Sequence, residues 1–273
     1  MKAAVAGLIV YPVKSCRGIS RQQARLGERG LERDREWMVV DSEGRFLSQR
    51  ELPRLALITP ALSDSELELT APGMATVAVS LAVRGPKRSV CVWRDTVSAT
   101  DEGDHAAGWL SEWLDRSVRL VRFDPGVKRL CNPAYAGASG AHTAFADAYP
   151  LLVTSEASLA DLNSRLKIPL PMNRFRPNLV LSGIEAYDED HFDEIHVGRS
   201  VLRLVKPCTR CRTTTTDQAT AEVGIEPLPT LALYRRNDVL DGVTFGMNAI
   251  VAAGADEIIS VGDRAHCELR FAD

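Results

Sequence analysis

Twelve consecutive residues, Lys206-Pro207-Cys208-Thr209-Arg210-Cys211-Arg212-Thr213-Thr214-Thr215-Thr216-Asp217, bring together two thiols, two arginines and five hydroxyl groups. An arginine near a cysteine favours the thiolate, the form that acts as nucleophile and as soft metal ligand. The same stretch also reads as a strand of β-branched threonines with two cysteines serving as small apolar residues, and composition alone does not separate the two readings. Cys208 and Cys211 are the one closely spaced pair among six cysteines, the others being Cys16, Cys91, Cys131 and Cys267. A structural zinc site would need a second pair or neighbouring histidines. His105, His142, His191, His196 and His266 are scattered, none with ligand spacing, and read as structural or surface residues.

Four more clusters carry groups suited to an anion. In Tyr11-Pro12-Val13-Lys14-Ser15-Cys16-Arg17-Gly18, the Lys, Ser and Arg side chains with a Gly-containing turn could grip one, although basic loops are commonly only solvated. The alternating charges of Arg33-Asp34-Arg35-Glu36-Trp37 fit an exposed strand edge equally well. Asn173-Arg174-Phe175-Arg176-Pro177-Asn178 enters an apolar strand, and Pro177 biases Arg176 toward an extended conformation at a fixed place at the strand mouth. Thr154-Ser155 offers helix-start N–H groups and two hydroxyls, a combination suited to phosphate, yet most such caps bind only their own helix.

The elements that must position these groups are mostly short strands. An apolar run from Ala3 to Val10 is too short to span a membrane and reads as a first strand of a cytoplasmic protein. Trp37–Val40 and Arg45–Ser48 flank the turn Asp41-Ser42-Glu43-Gly44 as a hairpin would. Leu55–Ile58, Leu67–Leu69, Ala75–Val79, Val90–Trp93 and Val118–Phe123 read as further strands, with a short helix from Ala106 to Leu114. Asp124–Ala148, rich in Gly, Ala and Pro, reads as a connecting segment or mobile loop and places a domain boundary there, giving domains 1–124 and 125–273. Thr154 or Ser155 should cap a helix running to about Leu166. Asn178–Leu181, Ser200–Val205, Ile258–Val261 and Cys267–Phe271 complete the strands, so the fold class is α+β and β-rich.

With 273 residues and 45% hydrophobic content the chain can bury a large core. Its 33 basic and 36 acidic residues are interspersed and sum to −3, which gives no global field favouring a nucleic-acid polymer or an anionic membrane. Any anion must therefore be held locally. The sparse cysteines and the lack of a secretion signal argue against a disulfide framework.

Taken in order, YPVKSCRG, SEASLADLNSRL, FRPNLVLSG and KPCTRCRTTTTD resemble segments of the MOSC family nearly end to end. YPVKSCRG is similar to the opening of the MOSC N-terminal β domain, and the last two segments to the MOSC domain proper. The helix SEASLADLNSRL resembles that of the mitochondrial amidoxime reducing components, and the bacterial YcbX-type proteins are similar too. The resemblance implies an N-terminal β domain packed on a MOSC β-barrel with peripheral helices, and one molybdenum cofactor (Mo-molybdopterin) between them. It implies that Cys211 ligates the metal and is the catalytic residue, with Cys208 a neighbour. It further implies that Lys14, Ser15, Arg35, Thr154, Ser155, Arg176 and Thr209 hold the pterin and its phosphate. Such a set is chemically apt, since forked Arg donors, Lys and helix-start amides suit a phosphate and a soft thiolate suits the metal.

The activity so implied is reduction of a small N-hydroxylated compound, an amidoxime, hydroxylamine or N-hydroxylated base, to its parent amidine or amine. The YcbX-type relatives add a ferredoxin domain, whereas here only Cys267 follows Cys211, so the resemblance points to an external electron donor: a flavoprotein reductase, a ferredoxin or a cytochrome b5-like protein. Three rival readings use the same residues. MOSC domains also occur in molybdenum-cofactor sulfurases, where Cys211 would carry a persulfide; a cofactor-storage protein would bind the pterin without turnover; a zinc module would need two ligands beyond Cys208 and Cys211.

Overall fold

The computed structural model describes residues 1–82 and 85–270. Strand β1 (Lys2–Val10) alternates inward Val5, Leu8 and Val10 with more exposed positions, the pattern of a half-buried strand. It is followed by β2 (Trp37–Val40), a three-stranded meander of β3 (Thr59–Leu62), β4 (Glu66–Thr70) and β5 (Val77–Ser80), then β6 (Lys87–Val92), β7 (Asp95–Asp101), α1 (Asp104–Leu114) and β8 (Arg119–Phe123). Beyond them lie β9 (Leu151–Ser155), α2 (Glu156–Ser164), β10 (Leu179–Ser182), β11 (Phe192–Val197), β12 (Ser200–Thr209), β13 (Gly242–Ala253) and β14 (Arg264–Leu269).

Two β assemblies result. In the first, β2, β8, β7 and β6 form a four-stranded sheet in that order. One face of it, with Trp37, Val39 and Leu120, is buried under Trp109, Leu110 and Trp113 of α1 and Leu67, Leu69 and Val77 of the meander. The other face, with Met38, Val40, Val121 and Phe123, packs on Phe145. The second is a closed barrel of seven strands running β9-β10-β1-β14-β11-β12-β13 and back to β9, all antiparallel except β9 with β10. Closure needs β13 to pass close over β9. Gly246, at φ +75°, sits at that crossing, where a Cβ would stand 2.6 Å from the Val153 carbonyl oxygen. The expected α+β, β-rich architecture with a MOSC-type barrel and peripheral helices is thus what the chain adopts. Strand β1, although first in the chain, is a stave of the barrel between β10 and β14.

Several local expectations are corrected. Leu55–Ile58 lies not in a strand but in a 3-10 turn over Pro53–Leu57, because Pro53 presets the helical φ at its start and Leu55 and Ile58 still reach the core. The return arm Arg45–Ser48 does fold back on β2 around the Asp41–Gly44 turn, through the antiparallel bridge of Val40 with Phe46 and the Leu47 N–H on the Val39 carbonyl, but too briefly to form a strand, and the full ladder partner of β2 is β8. The segment 124–148 is tied down: the buried Arg129 guanidinium donates to the carbonyls of Ala144, Ala146 and Asp147 and meets Asp95. Phe271, expected to end the last strand, lies outside the described residues. Among the described residues no helix is long and apolar enough to cross a membrane.

Candidate active site

Where the four-stranded sheet meets the barrel, one cleft is lined by Lys14, Ser15 and Arg35 from the segments around β2, and by Arg176, Thr209 and Cys211 from the barrel. Six of the eight residues nominated from the sequence therefore converge. The remaining two do not. Ser155 Oγ accepts the Ser158 N–H at 3.0 Å and caps α2, so its hydroxyl is committed to its own helix. Thr154 is fully buried in β9 with its hydroxyl against Met172 Sδ.

Each cleft residue has a local reason for its place. The Lys14 N–H donates to the Trp37 carbonyl at 2.8 Å, which clips the post-β1 segment to β2. Ser15 is held by Gln49, whose Nε2 donates to the Ser15 carbonyl at 2.7 Å and to Gln218 Oε1 at 3.0 Å. Gln218 returns a bond to Gln49 Oε1, so the motif loop after Cys211 is latched to the first assembly. Arg174 ties the same loop to the 172–178 segment through Asp217 at 2.8 Å and the Thr215 carbonyl. Arg35 donates to Asn178 Oδ1 at 2.9 Å and to the Arg176 carbonyl at 3.1 Å, with Asp34 behind it. Arg176 is not extended: its φ is +57°, and its guanidinium stacks 4.3 Å from the Tyr11 ring centre and donates to the Cys16 carbonyl. These contacts outweigh the preference that Pro177 imposes.

The electrostatics are lopsided. Lys14, Arg35, Arg50, Arg176 and Arg210 line the cleft against the single carboxylate of Asp147. Burial pushes the Lys14 ammonium down, against the pull of Asp147 beside it. Crowding also opposes the Asp147 charge, but the Lys14 charge and hydrogen bond outweigh it and hold that carboxyl well below the usual range, although its side chain is 69% exposed. Desolvation, with Arg35 pushing the same way, lowers the Arg176 guanidinium to about 10. No salt bridge is made by Arg176 or Arg210 among the described residues, and Arg210 Nε is buried without a partner. Two cations thus face the cleft with no anion of the protein's own to neutralise them, a costly arrangement that a bound anion would relieve.

The thiols differ. Cys211 is exposed at the start of a 3-10 turn, Arg212–Thr215, that its carbonyl anchors by accepting from the Thr214 N–H and hydroxyl. Cys208 is half-buried, and Arg210 Nη1 donates to its sulfur at 2.8 Å. Arg210 therefore serves Cys208 directly, leaving the Cys211 sulfur open to the cleft. Matches to family models cover residues 2–117, by the MOSC N-terminal beta barrel domain, and residues 140–266, by the MOSC domain. The chain belongs to the MOSC family. Among curated relatives of this MOSC protein, mitochondrial amidoxime-reducing component 1 of Mus musculus is 37% identical over 89% of the chain and 74% of its own length. The Homo sapiens protein of the same name is 36% identical over 90% and 76%. Mitochondrial amidoxime reducing component 2 of Rattus norvegicus is 36% identical over 86% and 73%.

Residues not singled out beforehand complete the MOSC cleft. Trp93, 46% exposed, donates from Nε1 to Asp147 Oδ1 at 3.0 Å, packs at a tilt against Phe46 and carries the Arg50 guanidinium over its ring. Asn178 bridges Arg35, the Leu152 N–H and the Ile9 carbonyl. Gln49, Gln218 and Asp147 are single polar residues in loops, and only their convergence in space gives them a role. For Trp93 a signal did exist: a large aromatic stands in the two-residue turn between β6 and β7, where small turn formers are expected.

Proposed function

We propose that this MOSC protein is a molybdenum-cofactor-dependent oxidoreductase that reduces N-hydroxylated compounds such as amidoximes and hydroxylamines, with Cys211 as the metal ligand. The observation that carries the reading is an open thiol in a cleft where two arginines, Arg176 and Arg210, make no salt bridge among the described residues. This donor set suits a pterin bearing a phosphate, and the relatives named for amidoxime reduction supply the reaction class. When bound, the cofactor would supply the two-electron redox chemistry that no side chain here provides. Arg176 and Arg210 neutralise the anionic group, and Lys14, Ser15 and Thr209 offer hydrogen bonds around it. Arg35 keeps the Arg176 backbone in place. Lys14 Nζ donates to the Asp147 carboxylate and keeps its proton at the edge of the cleft. Trp93 and Phe46 form an aromatic wall on which a planar amidoxime can lie.

Electrons arrive, in this reading, from a flavoprotein reductase, ferredoxin or cytochrome b5-like donor rather than from a cluster within residues 1–273, where Cys208 and Cys211 are the one closely spaced cysteine pair. Openness of the Cys211 sulfur also suits a persulfide carrier; the cation excess favours the cofactor enzyme. Metal analysis of protein made in a cofactor-competent host, wild type beside Cys211→Ser, separates the two. Near-stoichiometric molybdenum and benzamidoxime reduction with a chemical donor, both lost in the variant, are the expected result. A molybdenum-free wild type with a persulfide on Cys211 would overturn it in favour of sulfur transfer.

A further inference from the structure

The outer wall of the barrel brings three donor groups to one point, independently of the cleft. Strands β11 and β14 pair with Glu194 opposite Glu268 and His196 opposite His266, while Ile195, Val197, Ala265 and Cys267 fill the barrel core. Directly opposed carboxylates repel and weaken a sheet unless something neutralises them. On the far side, Arg203 of β12 takes Glu194 Oε1 at 2.9 and 3.1 Å and leaves Oε2 free of it. That Oε2 lies 3.5 Å from His196 Nε2, and Glu268 Oε1 lies 3.3 Å from the same nitrogen. Despite these distances, His196 Nε2 is shut off from solvent and makes no hydrogen bond among the described residues. The contact angles are wrong for a donor but the spacing is right for a ligand.

We infer that Glu194, His196 and Glu268 form a binding site for a divalent transition-metal ion such as Zn2+ on the barrel wall. The three donor atoms all lie within 4.8 Å of one another. Metal–ligand bonds of about 2.0–2.1 Å in a tetrahedron set the donors about 3.3–3.4 Å apart, close to the two separations seen. One imidazole and two carboxylates match a borderline ion better than Ca2+ or Mg2+, which take all-oxygen shells. His266, opposite His196 in the ladder with its ring centre 6.2 Å away, is a second imidazole beside the three donors. The other charges facing the group are Arg203 and, opposite His266 on β1, Lys2. Sequence spacing hides the site, because it joins an i, i+2 pair on one strand to a residue 72 positions away on another. A bound ion would clamp β11 to β14.

The test is titration of the full chain carrying Cys208→Ser and Cys211→Ser, which removes the cleft thiols, with Co2+ followed by its visible ligand-field absorption. One equivalent should bind and be displaced by Zn2+. Binding should be lost in His196→Ala and weakened on the order of 10- to 100-fold in Glu268→Gln, an exposed position that leaves the core intact. Absence of saturable binding, or equal binding by His196→Ala, would overturn the inference and leave His196 an ordinary ladder residue between two carboxylates.

Discussion

Ser15, Arg35, Trp93 and Arg176 all line the cleft, and all four have positive φ, between +47° and +68°. Left-handed backbone costs a non-glycine residue on the order of 1 kcal/mol or more and persists only where surrounding contacts overdetermine it. Here the contacts are on view: Gln49 on the Ser15 carbonyl, Asn178 and Asp34 on Arg35, Tyr11 and Cys16 on Arg176. Arg176→Gln should separate binding from stability. Removing a guanidinium that lacks an anionic partner should move the melting temperature of the cofactor-free chain by no more than a few degrees, a change of about 1 kcal/mol, while molybdenum per chain falls several-fold. Calorimetry beside metal analysis checks this; parallel losses in both would make Arg176 a structural residue. Cys211, Lys14, Arg35 and Arg176 were nominated through the resemblance of their segments to the MOSC family, each cluster alone being ambiguous, and the fold brings all four to one cleft. Asp147 and Trp93 were not nominated, because their significance comes from one Nζ and one indole N–H that meet only in space.

Helix α2 shows at the next scale why Thr154-Ser155 does not serve the cleft. Ser155 caps the helix, and Ser158 Oγ donates to Glu189 Oε1 at 2.7 Å in a pocket where Glu189 is fully buried and its Oε2 has no partner among the described residues. Burial pushes the Glu189 carboxyl up, with the Ser158 hydrogen bond opposing. The folded chain therefore favours the protonated form. Its contribution to stability is fully present below the ordinary carboxyl value of 4.5 and is lost as pH rises through the raised folded value. Glu189→Gln, which mimics the protonated side chain, should raise the melting temperature at neutral pH by a few degrees, about 1–3 kcal/mol, with the gain shrinking toward pH ~4. An equal gain at both pH values would show that charge is not the cause. Among the elements, α1, α2 and strands with clean alternation such as β4 were readable from period. β13 was missed because Gly246 interrupts its run from Val243 to Ala253 and the stretch Ala249–Ala253 is apolar without alternation, and β9 because its LLVTS has no alternation to read.

Over the whole molecule, the boundary near residue 124 separates two stretches of sequence, yet the barrel draws one of its seven staves, β1, from the far side of it. Gln23–Gly27 likewise pairs with Ile258–Ser260. Residues 125–273 expressed alone would leave the edges of β10 and β14 unpaired, and such edges invite association. That fragment should aggregate, and co-expression with residues 1–124 should return it to solution as a complex with one cooperative melt. A monomeric 125–273 fragment with its own sharp transition on size exclusion and calorimetry would refute the shared barrel. No reading of local period could have shown this, since adjacency between Lys2 and His266 is a property of closure rather than of either strand. The Met1 ammonium donates to the Cys267 carbonyl at 2.7 Å, so the first residue and β14 lie side by side on the barrel. The barrel is in effect a hoop whose clasp joins groups 266 residues apart in the sequence, so loosening either half of that clasp would slacken the whole ring.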